Sequence, residues 1–168
     1  LERVAAGKLK RLMIFMPPGH AKSTYSSVHF PAYYLGVNPR NCIIGASHTQ
    51  DLAERFSKKT RSIVQSSAYH ELYGFGISQD SRAVAAWETE RGGEFKAAGV
   101  GAGIAGRRSD VGLIDDPIRS REDAESELLT QVLVRMLKKA YLPTPTGWPF
   151  TRPTIVSAGR FFTVTILP

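Results

Sequence analysis

Residues 12–16, Leu-Met-Ile-Phe-Met, form an unbroken apolar run, the pattern of a strand buried on both faces. A Pro-Pro-Gly turn follows. Across 22–35 a helix is expected, with Tyr25, Val28 and Ala32 on one face and Pro31 kinking or ending it. Cys42 to Ala46 is a second apolar run. Ser47-His-Thr-Gln50 has the residues of a capping box. The helix it opens carries Leu52, Phe56, Thr60, Ile63 and Val64 at helical spacing, with Glu54, Arg55, Lys58 and Lys59 outside. Strand, helix, strand, helix is the order of a parallel α/β sheet. Residues 84–90 and 94–100, joined by Arg91-Gly-Gly, predict a β-hairpin. A glycine-rich loop spans 99–106 and ends in Arg107-Arg108. Val111-Gly-Leu-Ile-Asp-Asp116 reads as a buried strand closed by two carboxylates. Ser120-Arg-Glu-Asp123 is a capping box in its aspartate form, for a helix to about Lys139. Residues 143–153 read as a Pro- and Thr-rich loop, and Thr154–Ser157 as a last strand. The strands at 12–16, 42–46, 111–115 and 154–157 are expected to lie parallel in one sheet with helices on both faces. No internal repeat is present.

The 168 residues, 42% hydrophobic and 22% charged, suit one globular domain with its own core. No apolar run approaches the roughly 18 residues of a membrane-spanning helix. The N-terminus has neither a signal-peptide core nor Met, so the chain reads as a fragment. The single Cys42 forms no internal disulfide and reads as a buried structural thiol in a reducing, cytoplasmic setting. The net charge of +7 is uneven: residues 1–65 carry +7, 66–127 carry −5 and 128–168 carry +5. A basic surface beside an acidic centre suits a protein that binds polyanions and also holds a metal. A partial domain whose remainder balances the charge is the other reading.

Residues 16–23, Met-Pro-Pro-Gly-His-Ala-Lys-Ser, have the order of a phosphate loop but lack glycine at Met16 and Ala21. Such a loop aims backbone N–H groups and a helix N-terminus at oxygen anions. Pro18, Gly19, His20, Ala21, Lys22, Ser23 and Thr24 would line it, with Lys22 at the β- and γ-phosphates and the Ser23 hydroxyl on Mg²⁺. The small Gly19 and Ala21 let backbone approach the ligand, and His20 reads as a filler. An ordinary turn is the alternative.

A nucleotide hydrolase also needs a strand-end carboxylate near the metal and a second group to activate water. Asp115 is the candidate Mg²⁺ partner and Asp116 the candidate water-activating residue. Solvation of a strand end before Pro117 is the alternative. Arg107 and Arg108 are candidates for stabilising transition-state charge, and equally for DNA phosphates or surface ion pairs. His29, His48 and His70 are too scattered for a metal site.

"MPPGHAKST", "GASHTQDLAERFSKKTRSIVQS", "ISQDSRAVAAWETERGGEFKAAGVGAGIAGRRSDVGLIDDPI" and "SREDAES" follow one another as family segments do, over roughly residues 10–127. In these the chain resembles the ATPase domain of the large terminase subunit of tailed bacteriophages and prophages. The resemblance implies an additional-strand P-loop NTPase that hydrolyses ATP with Mg²⁺ to drive double-stranded DNA into a capsid. It implies a homo-oligomeric ring, with a small terminase subunit and the portal protein as partners, in the cytoplasm of a bacterial host and transiently at the procapsid portal. Lys22 and Ser23 match the phosphate-loop positions, and Asp115 and Asp116 the paired acids. Asp116 stands where glutamate is more general.

The resemblance fades after about residue 130. Ile155-Val-Ser157-Ala-Gly-Arg160 is the candidate for the family's hydroxyl-bearing coupling strand, with Ser157 sensing the γ-phosphate. Residues 128–168 contain no Asp or Glu, so they cannot supply a metal-dependent nuclease site. The chain is therefore expected to be a partial P-loop ATPase domain over 1–168, from a truncation, a split gene or a decayed prophage. Alternatives are a helicase-like ATPase, a small-molecule kinase, or an inactive remnant that binds nucleotide or DNA.

Overall fold

A computed structural model describes residues 1–17, 19–81, 83–99, 109–117 and 163–166. The strands are β1 (Arg11–Ile14), β2 (Cys42–Ser47), β3 (Ala86–Glu88), β4 (Glu94–Gly99), β5 (Val111–Asp115) and β6 (Thr163–Ile166). They form one sheet in the order β1-β6-β5-β2-β4-β3. β2 runs parallel to β4 and β5, while β6 runs antiparallel to both β5 and β1. So β1, β2, β4 and β5 share one direction, and the chain is an α/β protein with a mostly parallel sheet. The apolar runs at 12–16, 42–46 and 111–115 supply three of these strands. The strand expected at 154–157, the helix expected at 120–139 and the loop at 143–153 lie outside the described residues. β6, which wedges between β1 and β5, was not expected from the sequence. The hairpin is present as β3 and β4, paired Trp87↔Phe95. It is no separate unit, because β4 also continues the parallel sheet beside β2.

The helices are α1 (Glu2–Ala5), α2 (Phe30–Val37), α3 (Gln50–Val64) and α4 (Ser67–Tyr73), with a π-helical segment, Thr24–His29, leading into α2. α3 packs on β2 and β4 and also touches the π-helical segment, α2 and α4. The helices between β1 and β4 therefore gather on one face, as two right-handed crossovers advancing the same way require. The expectation of helices on both faces is met on one face among the described residues.

Pro31 neither ends the helix nor stands outside it. It lacks an N–H, and its ring opposes the carbonyl four residues back. The helix answers by widening upstream: the Phe30 N–H bonds the Tyr25 carbonyl, a five-residue step. The carbonyls of Ser27 and Val28, which a regular α ladder would pair with residues 31 and 32, both face the Thr60 hydroxyl of α3 at 3.4 and 3.2 Å. The wider turn also changes which side chains face inward. Val28 and Ala32 are buried as expected, but Tyr25 is 61% exposed.

α3 keeps its expected Thr60 and Val64 inside, but the rest of its face is shifted. Its buried stripe is Ala53, Ser57, Thr60 and Val64, with Leu52, Phe56 and Ile63 only half-buried at its flanks. Small residues let the helix sit close to the sheet. Ser57 meets the polar demand of that contact, donating to the Val84 carbonyl at 2.5 Å and accepting from Trp87 Nε1 at 2.9 Å. The cap is Thr49, whose hydroxyl accepts from the Leu52 N–H. Ser47, expected to open a capping box, belongs to β2.

Under α3 the Trp87 and Phe95 rings stack 5.3 Å apart. Gly45 admits them, since a Cβ there would lie 2.8 Å from Phe95 Cζ. Every residue of β5 is buried. Cys42, expected to be a buried thiol, is half-buried at the start of β2. Burial and the nearby Glu94 carboxylate push its thiol pKa up to about 11. No helix among the described residues is long and apolar enough to cross a membrane.

Candidate functional site

The parallel strands deliver their carboxyl ends to one edge of the sheet, where α/β proteins hold ligands. β1 ends at Ile14, and the chain turns through Pro17, Gly19 and Ala21 into a helix that starts at Lys22. Gly19 and Ala21 both have left-handed backbone, with φ of +78° and +56°. Glycine takes that conformation freely, whereas alanine pays about 1–2 kcal/mol. Ala21 thus adopts the backbone that the usual glycine of this motif favours. Gly19, His20 and Ala21 are exposed, and Lys22 turns inward to 9% exposure.

Lys22 Nζ lies 3.1 Å from Asp115 Oδ1 and 3.1 Å from Asp116 Oδ1. Residues 93 positions apart in sequence thus meet at one ammonium. Asp115 is 1% exposed. Its other oxygen, Oδ2, accepts the Ser27 hydroxyl at 2.8 Å. Ser26 beside it donates back to the Lys22 carbonyl at 2.8 Å. A buried carboxylate is tolerated only when paired and hydrogen-bonded, and Asp115 has both.

Asp116 differs from its neighbour. Its side chain is 38% exposed and its backbone is left-handed, with φ of +45°. Strand alternation would send consecutive side chains to opposite faces, carrying the Asp116 side chain away from that of Asp115. The left-handed turn folds it back, and both carboxylates reach Lys22. The end of β2 holds this turn. Ser47 Oγ donates to the Asp115 carbonyl at 2.6 Å, and His48 approaches the Asp116 carbonyl through both its backbone N–H and Nδ1.

Among the predicted residues, Lys22, Asp115 and Asp116 come together. Gly19, His20, Ala21, Ser23 and Thr24 lie in or beside the same loop. Pro18, Arg107, Arg108 and Ser157 lie outside the described residues. Ser27, Ser47 and His48 were missed by sequence reasoning. Ser27 stands one helical turn after Ser23, and Ser47-His48 closes an apolar run at the same sheet edge as Asp115-Asp116. Those were the available signals.

The site combines a helix N-terminus, the Lys22 ammonium and two carboxylates, with Ser23 and Thr24 next to Lys22 in the chain. No group of three His, Cys, Asp or Glu able to hold a metal occurs among the described residues. That donor set does not make a closed all-protein cage. It fits Mg²⁺, which is commonly held by one or two carboxylates together with substrate phosphates and water.

A family model described as Terminase large subunit, T4likevirus-type, N-terminal, matches residues 13–147. The match takes in the turn after β1, Lys22 and the paired carboxylates at the end of β5. No curated protein and no solved structure matches the chain.

Proposed function

The chain belongs to the T4-like large terminase subunit family, N-terminal type, and from that premise we propose that it is the ATP-hydrolysing motor domain for packaging double-stranded phage DNA. The observation that carries the proposal is the meeting of Lys22 with Asp115 and Asp116 at the carboxyl edge of a mostly parallel sheet. The mostly parallel sheet is compatible with a P-loop arrangement, but β6, between β1 and β5, runs against both and does not supply the parallel added strand. In this proposal Lys22 leaves the carboxylates to meet the β- and γ-phosphates, and the loop from Pro18 to Thr24 wraps them with backbone N–H groups. Ser23 and Asp115 hold Mg²⁺, which when bound neutralises phosphate charge. Ser27 fixes the rotation of Asp115. Asp116, the more exposed acid, orients and deprotonates the attacking water. Arg107 or Arg108 stabilises the charge that develops. The full protein works as a ring on DNA with a small terminase subunit and the portal protein, in the host cytoplasm and at the procapsid.

The test is nucleotide binding and turnover in a chain carrying the whole terminase. Lys22→Ala is expected to abolish MgATP binding. It also leaves Asp115 buried without its cation, a loss of about 3–5 kcal/mol for such pairs, so Lys22→Arg is measured beside it. Arginine keeps the charge but not the compact ammonium, and should fold while binding nucleotide poorly. Asp116→Asn should retain binding and lose turnover by about 10²–10⁴-fold, the usual contribution of a general base. Undiminished binding in both lysine variants, or parental turnover in Asp116→Asn, would remove the corresponding role.

A further inference from the structure

We infer that His48 is a positioning residue for Asp116, holding the backbone turn that aims this carboxylate; the functional consequence rests on the motor reading above, the geometry does not. Regular pairing of β2 with β5 stops at Ala46↔Ile114. Beyond it the contact between the two strands is carried on by different bonds. Ser47 Oγ donates to the Asp115 carbonyl at 2.6 Å. One residue further, the Asp116 carbonyl takes two bonds from His48, from the backbone N–H at 3.2 Å and from Nδ1 at 3.0 Å. A carbonyl only accepts, so Nδ1 carries the hydrogen in this bond.

This grip falls on the one residue of the strand end whose backbone is left-handed, Asp116 at φ +45°. For a residue with a Cβ that conformation costs about 1–2 kcal/mol, and it persists where neighbouring structure over-determines it. Two bonds to one carbonyl, together with the Ser47 bond one residue earlier, supply that constraint. Without the turn, strand alternation would carry the Asp116 carboxylate away from Lys22. Among the described residues no hydrogen bond or ion pair joins His48 to a carboxylate, and its link to the site runs through the Asp116 carbonyl.

Three substitutions separate this role from simple packing. Asparagine places its side-chain N–H near Nδ1 of histidine, whereas glutamine carries its N–H one methylene further out. In the full-length protein, His48→Ala should lower kcat for ATP by about 10²-fold, the scale of loss when a reacting group is displaced by about an ångström. Its nucleotide Kd should stay within about twofold of the parent, because Lys22 and the loop are untouched. His48→Asn should recover most of the rate and His48→Gln should not. On the protein without nucleotide, the backbone NMR shifts of Asp116 report its left-handed turn: His48→Ala should move them toward extended values and His48→Asn should keep them. Unchanged Asp116 shifts in His48→Ala, parental kcat in that variant, or equal rescue by Asn and Gln would overturn the inference. If the parent binds no nucleotide, the motor reading fails while the Asp116 shifts still decide whether His48 sets the turn.

Discussion

Ala21 bears the cost of departing from the usual phosphate-loop glycine. At φ +56° it carries about 1–2 kcal/mol of backbone strain, against about 0.5–1 kcal/mol of extra chain entropy that glycine would lose on folding. Ala21→Gly should therefore raise stability by up to about 1 kcal/mol. Gly19→Ala should lower it by about the same amount: its φ is +78°, and with no atom within 4 Å of the methyl group that alanine would add, the penalty is backbone strain alone. Denaturant midpoints with unchanged slopes measure both. A less stable Ala21→Gly would show that the alanine methyl makes a contact worth more than the strain. Lys22 was legible from the order of the loop in which it stands, and Asp115 and Asp116 because they close an apolar run with charge. Ser27, Ser47 and His48 were not, because their partners are set by helix widening and by the β2–β5 register, neither of which is written in local sequence. The backbone turn at Asp116 was not legible for a related reason: strand alternation holds only while the backbone stays extended.

Helices and strands answer to different amounts of information. The three long apolar runs and the Gly-Gly hairpin could be read directly, since an apolar run between turn residues has few other uses. α4 was not read, although Ser66 caps it and Gly74 closes it in left-handed backbone. Its seven residues are too few for a periodic signal. The face of α3 was placed about one residue off because bulky Leu52 and Phe56 outweigh small residues in any hydrophobic pattern. Ser57, which the pattern left out, and Thr60, which it included, are those that the sheet and the neighbouring helix need. Thr60 shows why. Its single hydroxyl proton is shared among the Phe56 carbonyl of its own helix at 3.0 Å and the Val28 and Ser27 carbonyls of the widened turn upstream of Pro31 at 3.2 and 3.4 Å, and that turn also carries Ser27 to Asp115. Thr60→Val keeps the shape and removes the hydroxyl, so it should cost about 1–3 kcal/mol, the range for leaving buried polar groups unsatisfied. Thr60→Ser keeps the hydroxyl and should cost less than Thr60→Val. Chemical denaturation of the two variants checks the order. If valine proves as stable as serine, the Ser27 and Val28 carbonyls have other partners and the link from Pro31 to Thr60 dissolves.

At the scale of the molecule, strand order was the least legible property. Direction followed from the alternation of strands and helices, but the place of β6 between β1 and β5 depends on pairings across most of the chain. One global property follows from the buried phenols and thiol. Burial raises the pKa of Tyr34, Cys42, Tyr69 and Tyr73, with Glu94 adding to the effect at Cys42 and neighbouring tyrosines at Tyr69 and Tyr73. Each group is neutral when protonated, so the fold favours the protonated form. As pH rises, the unfolded chain gives up these protons first, and over that interval it binds fewer protons than the folded chain. Stability must then fall with rising pH. For Cys42 the loss begins near the ordinary thiol value of 9.0 and is complete above about 11. For the tyrosines it begins near 10.0 and extends further up. Denaturant midpoints should hardly respond to these groups below about pH 8 and should drop progressively above about pH 9. Cys42→Ala should flatten the part of the curve between about pH 9 and 11. Tyr69→Phe should lower stability at neutral pH, because it loses the hydroxyl bond to the Ala32 carbonyl at 3.1 Å, yet it should flatten the curve above about pH 10. A Cys42→Ala protein with the parental slope from about pH 9 to 11 would show that the thiol titrates alike in both states, and that the alkaline limit belongs to the tyrosines alone.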